Sequence, residues 1–356
     1  MGDPELGVIE GYYGPPWSWQ ARREVTALLA GHGYRFHHYA PKADPHVRDD
    51  WTSPWPEAAR QELTAFGEHC REHGTRFGVG LSPAGLQAGL DDHGLAALHR
   101  RLLEINELGV DDLVLLFDDL AGDAPDGLAG RQIELAHRAA DTTTATRIFL
   151  CPTYYSDDPL LDQLFGPRPE HYLTELGRGL DRGIRVYWAG EEICPAEITL
   201  GELRPVTEQL RRRPVLWDNY PVNDGAVMGQ HLHLRGFTGR PSSLANAVAG
   251  HAINPALQPW LSCIPALTLP ASYRAHASYR YARAQRQAAE TVLGAELGAR
   301  VMADLALLVD RGRDRLTDGE RGELRARYAA YDHPAAREIV DWLAGAYGLA
   351  GAPTGA

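Results

Sequence analysis

Eight short apolar runs, most of them separated by stretches with helical spacing, occupy the first two-thirds of this 356-residue chain. That alternation restricts the fold more than any other feature. Gly7 to Glu10, Arg35 to Tyr39, Arg76 to Leu81, Asp112 to Phe117, Arg147 to Cys151, Ile184 to Trp188, Val215 to Trp217 and Gly250 to Ile253 read as strands. Between the first two, Ser18-Trp19-Gln20 opens a helical segment that Arg22 to Ala30 continues, with Val25, Leu28 and Leu29 facing inward. Pro56-Glu57 starts another that reaches Cys70, and Leu95 to Leu108 gives a third. Eight strands with mostly helical crossovers in about 250 residues match a closed (β/α)8 TIM-like barrel of the α/β class. An open doubly wound sheet is the rival. Against it, the first strand runs into Gly-Tyr-Tyr-Gly-Pro-Pro-Trp, which is not a phosphate-cradling glycine loop leading directly into a helix.

From about Pro255 the character changes. A proline-rich passage (Pro255, Pro259, Pro265, Pro270) precedes Ala/Arg/Glu-rich helical sequence at Tyr279 to Leu308, Asp318 to Ala330 and Pro334 to Ala346. Asp332 is the expected cap of the last helix, and Pro334 sits in its first turn, where the missing N–H costs nothing. The expected division is residues 1–258 as the catalytic barrel, 259–350 as a helical C-terminal extension, and 351–356 as a loose, disordered tail.

Charge and cysteine usage narrow the partners. A formal net charge of -12 argues against a nucleic-acid groove. Cys70, Cys151, Cys194 and Cys263 are too widely spaced for a disulfide scaffold or a zinc knuckle, so reduced thiols are expected. No basic-then-apolar signal opens the chain and no stretch approaches a membrane span. The expectation is a soluble, cytoplasmic protein with no nucleic-acid or membrane partner; a homo-oligomer is left open.

The unusual residues fall at the ends of the strands, where a barrel gathers its active site. The first strand leads into Glu10-Gly11-Tyr12-Tyr13-Gly14 and the second into Tyr39-Ala40-Pro41-Lys42. Lys42 is the single lysine against 34 arginines. A compact ammonium on a flexible stem is not equivalent to a planar guanidinium where a polar ligand is met end-on. The fourth strand ends Phe117-Asp118-Asp119, an acidic pair after an unbroken apolar run. Adjacent carboxylates near a dry pocket resist simultaneous ionisation, which would keep one of them protonated as a general acid beside a charged partner. A divalent-metal site or a helix cap is the alternative, and no nearby Asp-x-Asp or His-x-His supports the metal. Asp157-Asp158, before Pro159, reads as a cap or turn. The remaining strand ends are rich in amides, tyrosines and tryptophans, a mixture suited to a sugar.

With these motifs in order, the chain resembles the β-N-acetylglucosaminidases of glycoside hydrolase family 84, which include protein O-GlcNAcases and enzymes historically called hyaluronidases. The resemblance rests on Gly7 to Trp17, Tyr39 to Lys42, Phe117-Asp118-Asp119, Cys151-Pro152-Thr153-Tyr154-Tyr155, Trp217-Asp218-Asn219 through Asn223-Asp224, and Asn254-Pro255, covering roughly residues 6 to 255. It implies that Asp118 orients and polarises the substrate's 2-acetamido group, and that Asp119 protonates the glycosidic oxygen and then activates water. Gly11 and Lys42 would contact the sugar, Tyr155 would lie near the acetamido group, and Trp217 would wall its pocket. Asn219, Asp224 and Asn254 would hold the acetamide or hydroxyls, with Tyr13 beneath the pocket. Departures from the family pattern, Ala43-Asp44 after the lysine, Tyr154 and Gly225, fall on the leaving-group side.

The implied activity is hydrolysis of terminal β-linked GlcNAc from glycopeptides, glycoproteins or glycans by a retaining exo-β-N-acetylglucosaminidase. The tethered acetamide oxygen attacks the anomeric carbon and forms an oxazoline, and no cofactor is required. A noncatalytic GlcNAc-recognition protein with the same pocket is one alternative. A β-hexosaminidase preferring GalNAc or a larger glycan is another.

Overall fold

The computed structural model describes residues 4–119 and 126–347. Eight parallel strands close into a barrel in sequence order. They are β1 (Leu6–Ile9), β2 (Tyr34–Tyr39), β3 (Arg76–Leu81), β4 (Asp112–Leu116), β5 (Arg147–Cys151), β6 (Arg185–Trp188), β7 (Val215–Asp218) and β8 (Gly250–Ile253). β1 pairs with both β2 and β8, which removes any sheet edge. Every sequence-read strand is present within one residue at either end.

The helices are α1 (Trp19–Gly31), α2 (Glu57–Glu72), α3 (Asp92–Glu107), α4 (Leu128–Thr142), α5 (Pro159–Phe165), α6 (Tyr172–Gly179) and α7 (Leu200–Leu210), followed by α8 (Pro259–Ala275), α9 (Tyr281–Ala303), α10 (Asp318–Ala329) and α11 (Pro334–Ala344). The Ser18 hydroxyl caps α1 by accepting from Ala21 N–H, and the Asp158 carboxylate caps α5 by accepting from Leu160 N–H. Among the described residues, no helix is long and apolar enough to cross a membrane.

Two local expectations fail. The proline-rich passage is itself a helix, α8, almost wholly buried and packed against α1, α9 and α11. Pro270 has no N–H to give the Ala266 carbonyl, and the Tyr34 hydroxyl at the start of β2 donates to that carbonyl instead, at 2.9 Å. A barrel side chain thus satisfies a backbone group that would otherwise be buried at a cost of about 1–3 kcal/mol. At α11 the cap is His333, whose Nδ1 accepts from Ala335 N–H, while Asp332 pairs with Arg337. Residues 351–356 lie outside the described residues.

One ionic cluster ties the N-terminal end of the barrel. Glu5, just before β1, accepts from Arg76 on β3 (2.6 Å), Arg147 on β5 (3.0 Å) and Arg185 on β6 (2.9 Å). Burial raises the Glu5 pKa, but the three guanidiniums outweigh it and hold the carboxyl down at about 2. The C-terminal ends of the strands, at the opposite face, are free to carry chemistry.

Candidate active site

The acidic pair is placed by continuation of the β4–β5 pairing. Phe117 N–H donates to the Cys151 carbonyl at 2.9 Å, so Asp118 and Asp119 emerge just past the last barrel hydrogen bond. Asp119 adopts φ 53°, the left-handed region that aspartate tolerates better than most residues. The two side chains differ in access: 5% of Asp118 is exposed and 24% of Asp119. Lys42, brought in by a 3.1 Å hydrogen bond from its N–H to the Tyr12 carbonyl, is buried beside both.

Its ammonium ion-pairs with Asp118 Oδ2 and lies 3.3 Å from Asp119 Oδ2. The Tyr13 hydroxyl donates to Asp119 Oδ2 at 3.1 Å, and the Tyr155 hydroxyl to Asp119 Oδ1 at 3.2 Å. Among the described residues, Asp118 Oδ1 is buried with no N–H or O–H donor, and the Cys151 thiol lies against the Asp118 carboxylate. Lys42 sets a cation against the mutual repulsion expected of the adjacent carboxylates. Burial does push Asp119 up, but Lys42, Arg48 and the hydrogen bonds from Lys42 and Tyr13 outweigh it and lower its pKa. The cation between the carboxylates relieves the repulsion. Beside them, burial and then the Asp118 charge push the Cys151 thiol up, so it stays neutral.

A second network adjoins the first through the β1 loop. Gly11 N–H donates to Asn254 Oδ1 (3.1 Å), and Asn254 Nδ2 donates to Asn219 Oδ1 (3.0 Å). The same Asn219 oxygen accepts from Trp217 Nε1 (2.9 Å), while its amide donates to the Ile193 carbonyl (2.8 Å). The Trp217 indole lies so close over Gly11 that any Cβ there would overlap it. Asp224 Oδ2 accepts from Tyr13 N–H at 2.6 Å. Asp224 itself is shifted upward, chiefly by burial and with Asp119 adding to it.

All ten residues singled out from the sequence therefore meet in one connected network. Their detailed placement adds a contact at Tyr13, whose hydroxyl reaches Asp119. Two of the departures noted above face away. The Tyr154 hydroxyl donates to the Gly166 carbonyl (2.7 Å), and Asp44 accepts from Tyr39 and Trp55 (2.7 and 3.0 Å). Arg48 was not singled out: its Nη1 donates to the Tyr13 hydroxyl at 3.3 Å. Its only sequence signal is its position six residues after Lys42, and it is one of 34 arginines.

Buried ion pairs brace the strand ends. Glu10 accepts from Arg22 Nε (2.6 Å) and the Tyr12 hydroxyl (2.9 Å) and contacts His37 Nε2 (2.7 Å). Asp218, between Trp217 and Asn219, receives Arg240 through Nε (2.7 Å) and Nη2 (2.8 Å) and contacts His251 Nε2 (2.9 Å). Arg240 also donates to the Pro195 and Ala196 carbonyls, which fixes the loop that Asn219 touches. Among the described residues, the side chains with metal-binding spacing are His69, Glu72 and His73, within 4.8 Å of one another. They lie at the end of α2 leading into the start of β3, on the face opposite the carboxylates.

The site thus offers a buried carboxylate, a second and more exposed carboxylate beside it, an ammonium between them and the Trp217 ring over Gly11. The family model described as beta-N-acetylglucosaminidase matches residues 6–309. Protein O-GlcNAcase of Rattus norvegicus and that of Mus musculus are each 29% identical over 261 residues, 70% of this chain and 28% of theirs. The chain spans under a third of the length of these curated relatives. A solved structure of a mutant Thermobaculum terrenum O-GlcNAc hydrolase superposes with a TM-score of 0.78 at 27% identity, covering 96% of this chain and 81% of that one. With a family match running from β1 past α9 and a fold shared along nearly its whole length, this chain belongs to the beta-N-acetylglucosaminidase family of glycoside hydrolases.

Proposed function

We propose that this chain is a retaining exo-β-N-acetylglucosaminidase that removes terminal β-linked GlcNAc from glycopeptides, glycoproteins or glycans with the substrate's own acetamide as nucleophile. The observation that supports this reading is the split environment of Asp118: Lys42 occupies Oδ2, while among the described residues Oδ1 is buried with no N–H or O–H donor. A buried carboxylate oxygen without a donor is costly unless a ligand supplies one. An acetamide N–H is such a donor. Holding it turns the acetamide oxygen toward the anomeric carbon and stabilises the positive charge that develops as the oxazoline closes. The tether removes much of the entropy cost of attack.

Asp119, the more exposed carboxyl, is suited to the leaving group. It must be protonated to act, and the free chain disfavours that state through Lys42 and Arg48. A bound sugar reverses the balance, because it adds desolvation and its hydroxyls compete for the Lys42 ammonium. The proton then passes to the glycosidic oxygen, the aglycone departs, and the resulting carboxylate takes a proton from the water that opens the oxazoline. Two inversions give retention.

An aryl β-GlcNAc should be hydrolysed, and the corresponding aryl β-glucoside, which lacks the internal nucleophile, should not. Comparable rates on both would remove substrate assistance. Tight binding of an oxazoline mimic without cleavage of any activated substrate would instead indicate a recognition protein.

A further inference from the structure

Arg48 reaches the acidic pair through the Tyr13 hydroxyl, to which its Nη1 donates at 3.3 Å. It follows a short turn that three contacts hold in place. Asp44 Oδ1 accepts from His46 N–H (2.9 Å), Ser82 N–H donates to the Val47 carbonyl (2.8 Å), and Arg101 Nη2 donates to the His46 carbonyl (2.5 Å). The Arg48 side chain is only 13% exposed, and among the described residues its one acidic neighbour within ion-pair range, Asp49 at 3.7 Å, is 78% exposed. A surface pair of that kind is weak, so Asp49 does not account for the burial of the guanidinium. Its inward contact is the Tyr13 hydroxyl.

That contact fixes a proton. A guanidinium has donors only and remains charged. The Tyr13 oxygen must therefore accept from Arg48, and its single proton must point to Asp119 Oδ2. Burial, with Asp119 next, pushes the Tyr13 phenol up to about 12, so the proton is present throughout the neutral range. Lys42 lies near the same oxygen. Oδ1 differs: its donor is Tyr155, and among the described residues no cation contacts the Tyr155 hydroxyl. Tyr155 can turn its proton away and become an acceptor, whereas Tyr13 cannot.

We propose that Arg48 is the positioning residue of the acid, locking Tyr13 as a permanent donor to Asp119 Oδ2 so that the transferable proton is carried on Oδ1. The inference rests on the glycosidase reading above. In the forward step the Oδ1–H bond breaks and a bond from that hydrogen to the glycosidic oxygen forms; in the second step water returns a proton to Oδ1. Among the described residues, the groups facing Asp119 are Lys42 and Arg48 from the β2 loop, Tyr13 from the β1 loop and Asp118 beside it. Tyr155 and Cys151 face it from β5 and its loop, and Asp224 from the β7 loop. Removing Arg48 deletes a cation from this set and frees the Tyr13 hydroxyl to rotate.

The test uses Arg48→Met, Arg48→Lys, Tyr13→Phe and the Arg48→Met/Tyr13→Phe double variant. Two readouts apply: rates on aryl β-GlcNAc substrates with good and poor leaving groups, and the ligand-free titration of the Asp119 carboxyl by 13C NMR. Arg48→Met should lose about tenfold or more on the poor leaving group and little on the good one. Its Asp119 midpoint should move up. Arg48→Lys should restore the midpoint and only part of the rate, because an ammonium supplies charge without the planar fork. In the Tyr13→Phe background, Arg48→Met should add almost nothing to the rate loss on the poor leaving group. Equal loss on both substrates with an unmoved midpoint, or full additivity with Tyr13→Phe, would overturn the proposal. A moved midpoint in a chain whose wild type cleaves no β-GlcNAc would uphold the Arg48 contact and sink the glycosidase reading instead.

Discussion

The Trp217 indole lies across Gly11 in the space that a Cβ at residue 11 would fill. The glycine is therefore a packing requirement of the Trp217 ring: Trp217 Nε1 is held by Asn219, and Asn219 by Asn254, whose Oδ1 in turn holds Gly11 N–H. Gly11→Ala should push the indole off this ring of contacts. The expected result is a loss of sugar binding with about 1–3 kcal/mol of destabilisation from overpacking, read by KM for an aryl β-GlcNAc and by thermal unfolding. Unchanged KM would show that Trp217 does not wall the sugar.

Substitutions in the acidic pair should separate two roles. Asp119→Asn should slow substrates with poor leaving groups most, since an activated phenol needs little proton donation. Asp118→Asn should slow even activated substrates, because orientation of the acetamide and charge stabilisation are still needed. Losses of about 10²-fold or more are expected for each on its sensitive substrate. Identical leaving-group profiles for the two variants would contradict the division.

Lys42 links the pair to pH. In the proposed mechanism Asp119 acts protonated, so activity should fall as pH rises through its pKa, and in the free chain that pKa is lowered. Because kcat/KM reports the free enzyme and kcat the complex, the basic limb of kcat should lie at higher pH than that of kcat/KM. Lys42→Ala should weaken productive binding and bring the two limbs together. Lys42→Arg should not restore wild-type kinetics, since a planar guanidinium cannot occupy the space of an end-on ammonium between the two carboxylates. Coincident limbs in the wild type would mean that the sugar does not relieve Lys42 from Asp119.

At the other end of the barrel, Glu5→Gln should destabilise the fold and leave substrate kinetics intact. The folded-state pKa of Glu5 is depressed to about 2 by its three arginines acting against burial. Its contribution is thus present above the unfolded value of about 4.5 and lost as pH falls toward 2. Thermal unfolding of wild type and variant should differ near neutrality and converge in acid. A constant difference across that range would assign the effect to packing.

The barrel was legible because each strand is a short apolar run bounded by polar residues, and burial on both faces leaves little room for another pattern. Helix α8 was not legible, since Pro265 and Pro270 argue locally against a helix. The compensation at Pro270 comes from Tyr34, more than 200 positions away in the chain. Resemblance drew attention to Gly11, while the reason for a glycine there, the Trp217 ring, is visible only in three dimensions. The arginine-rich composition that made Lys42 conspicuous concealed Arg48. In the sequence Asp118 and Asp119 stand side by side as a repelling pair, while the lysine that comes between them in space is 76 residues away from Asp118.

In the proposed mechanism the acetamide of the substrate is the nucleophile. Turnover of aryl β-glycosides whose 2-acetamido group carries none, one, two or three fluorines tests this. Each fluorine withdraws electrons from the acetamide oxygen without altering the leaving group. Substrate assistance predicts that kcat falls steeply along the series. Rates that stay level across all four would place the nucleophile on the protein or on water and contradict the mechanism.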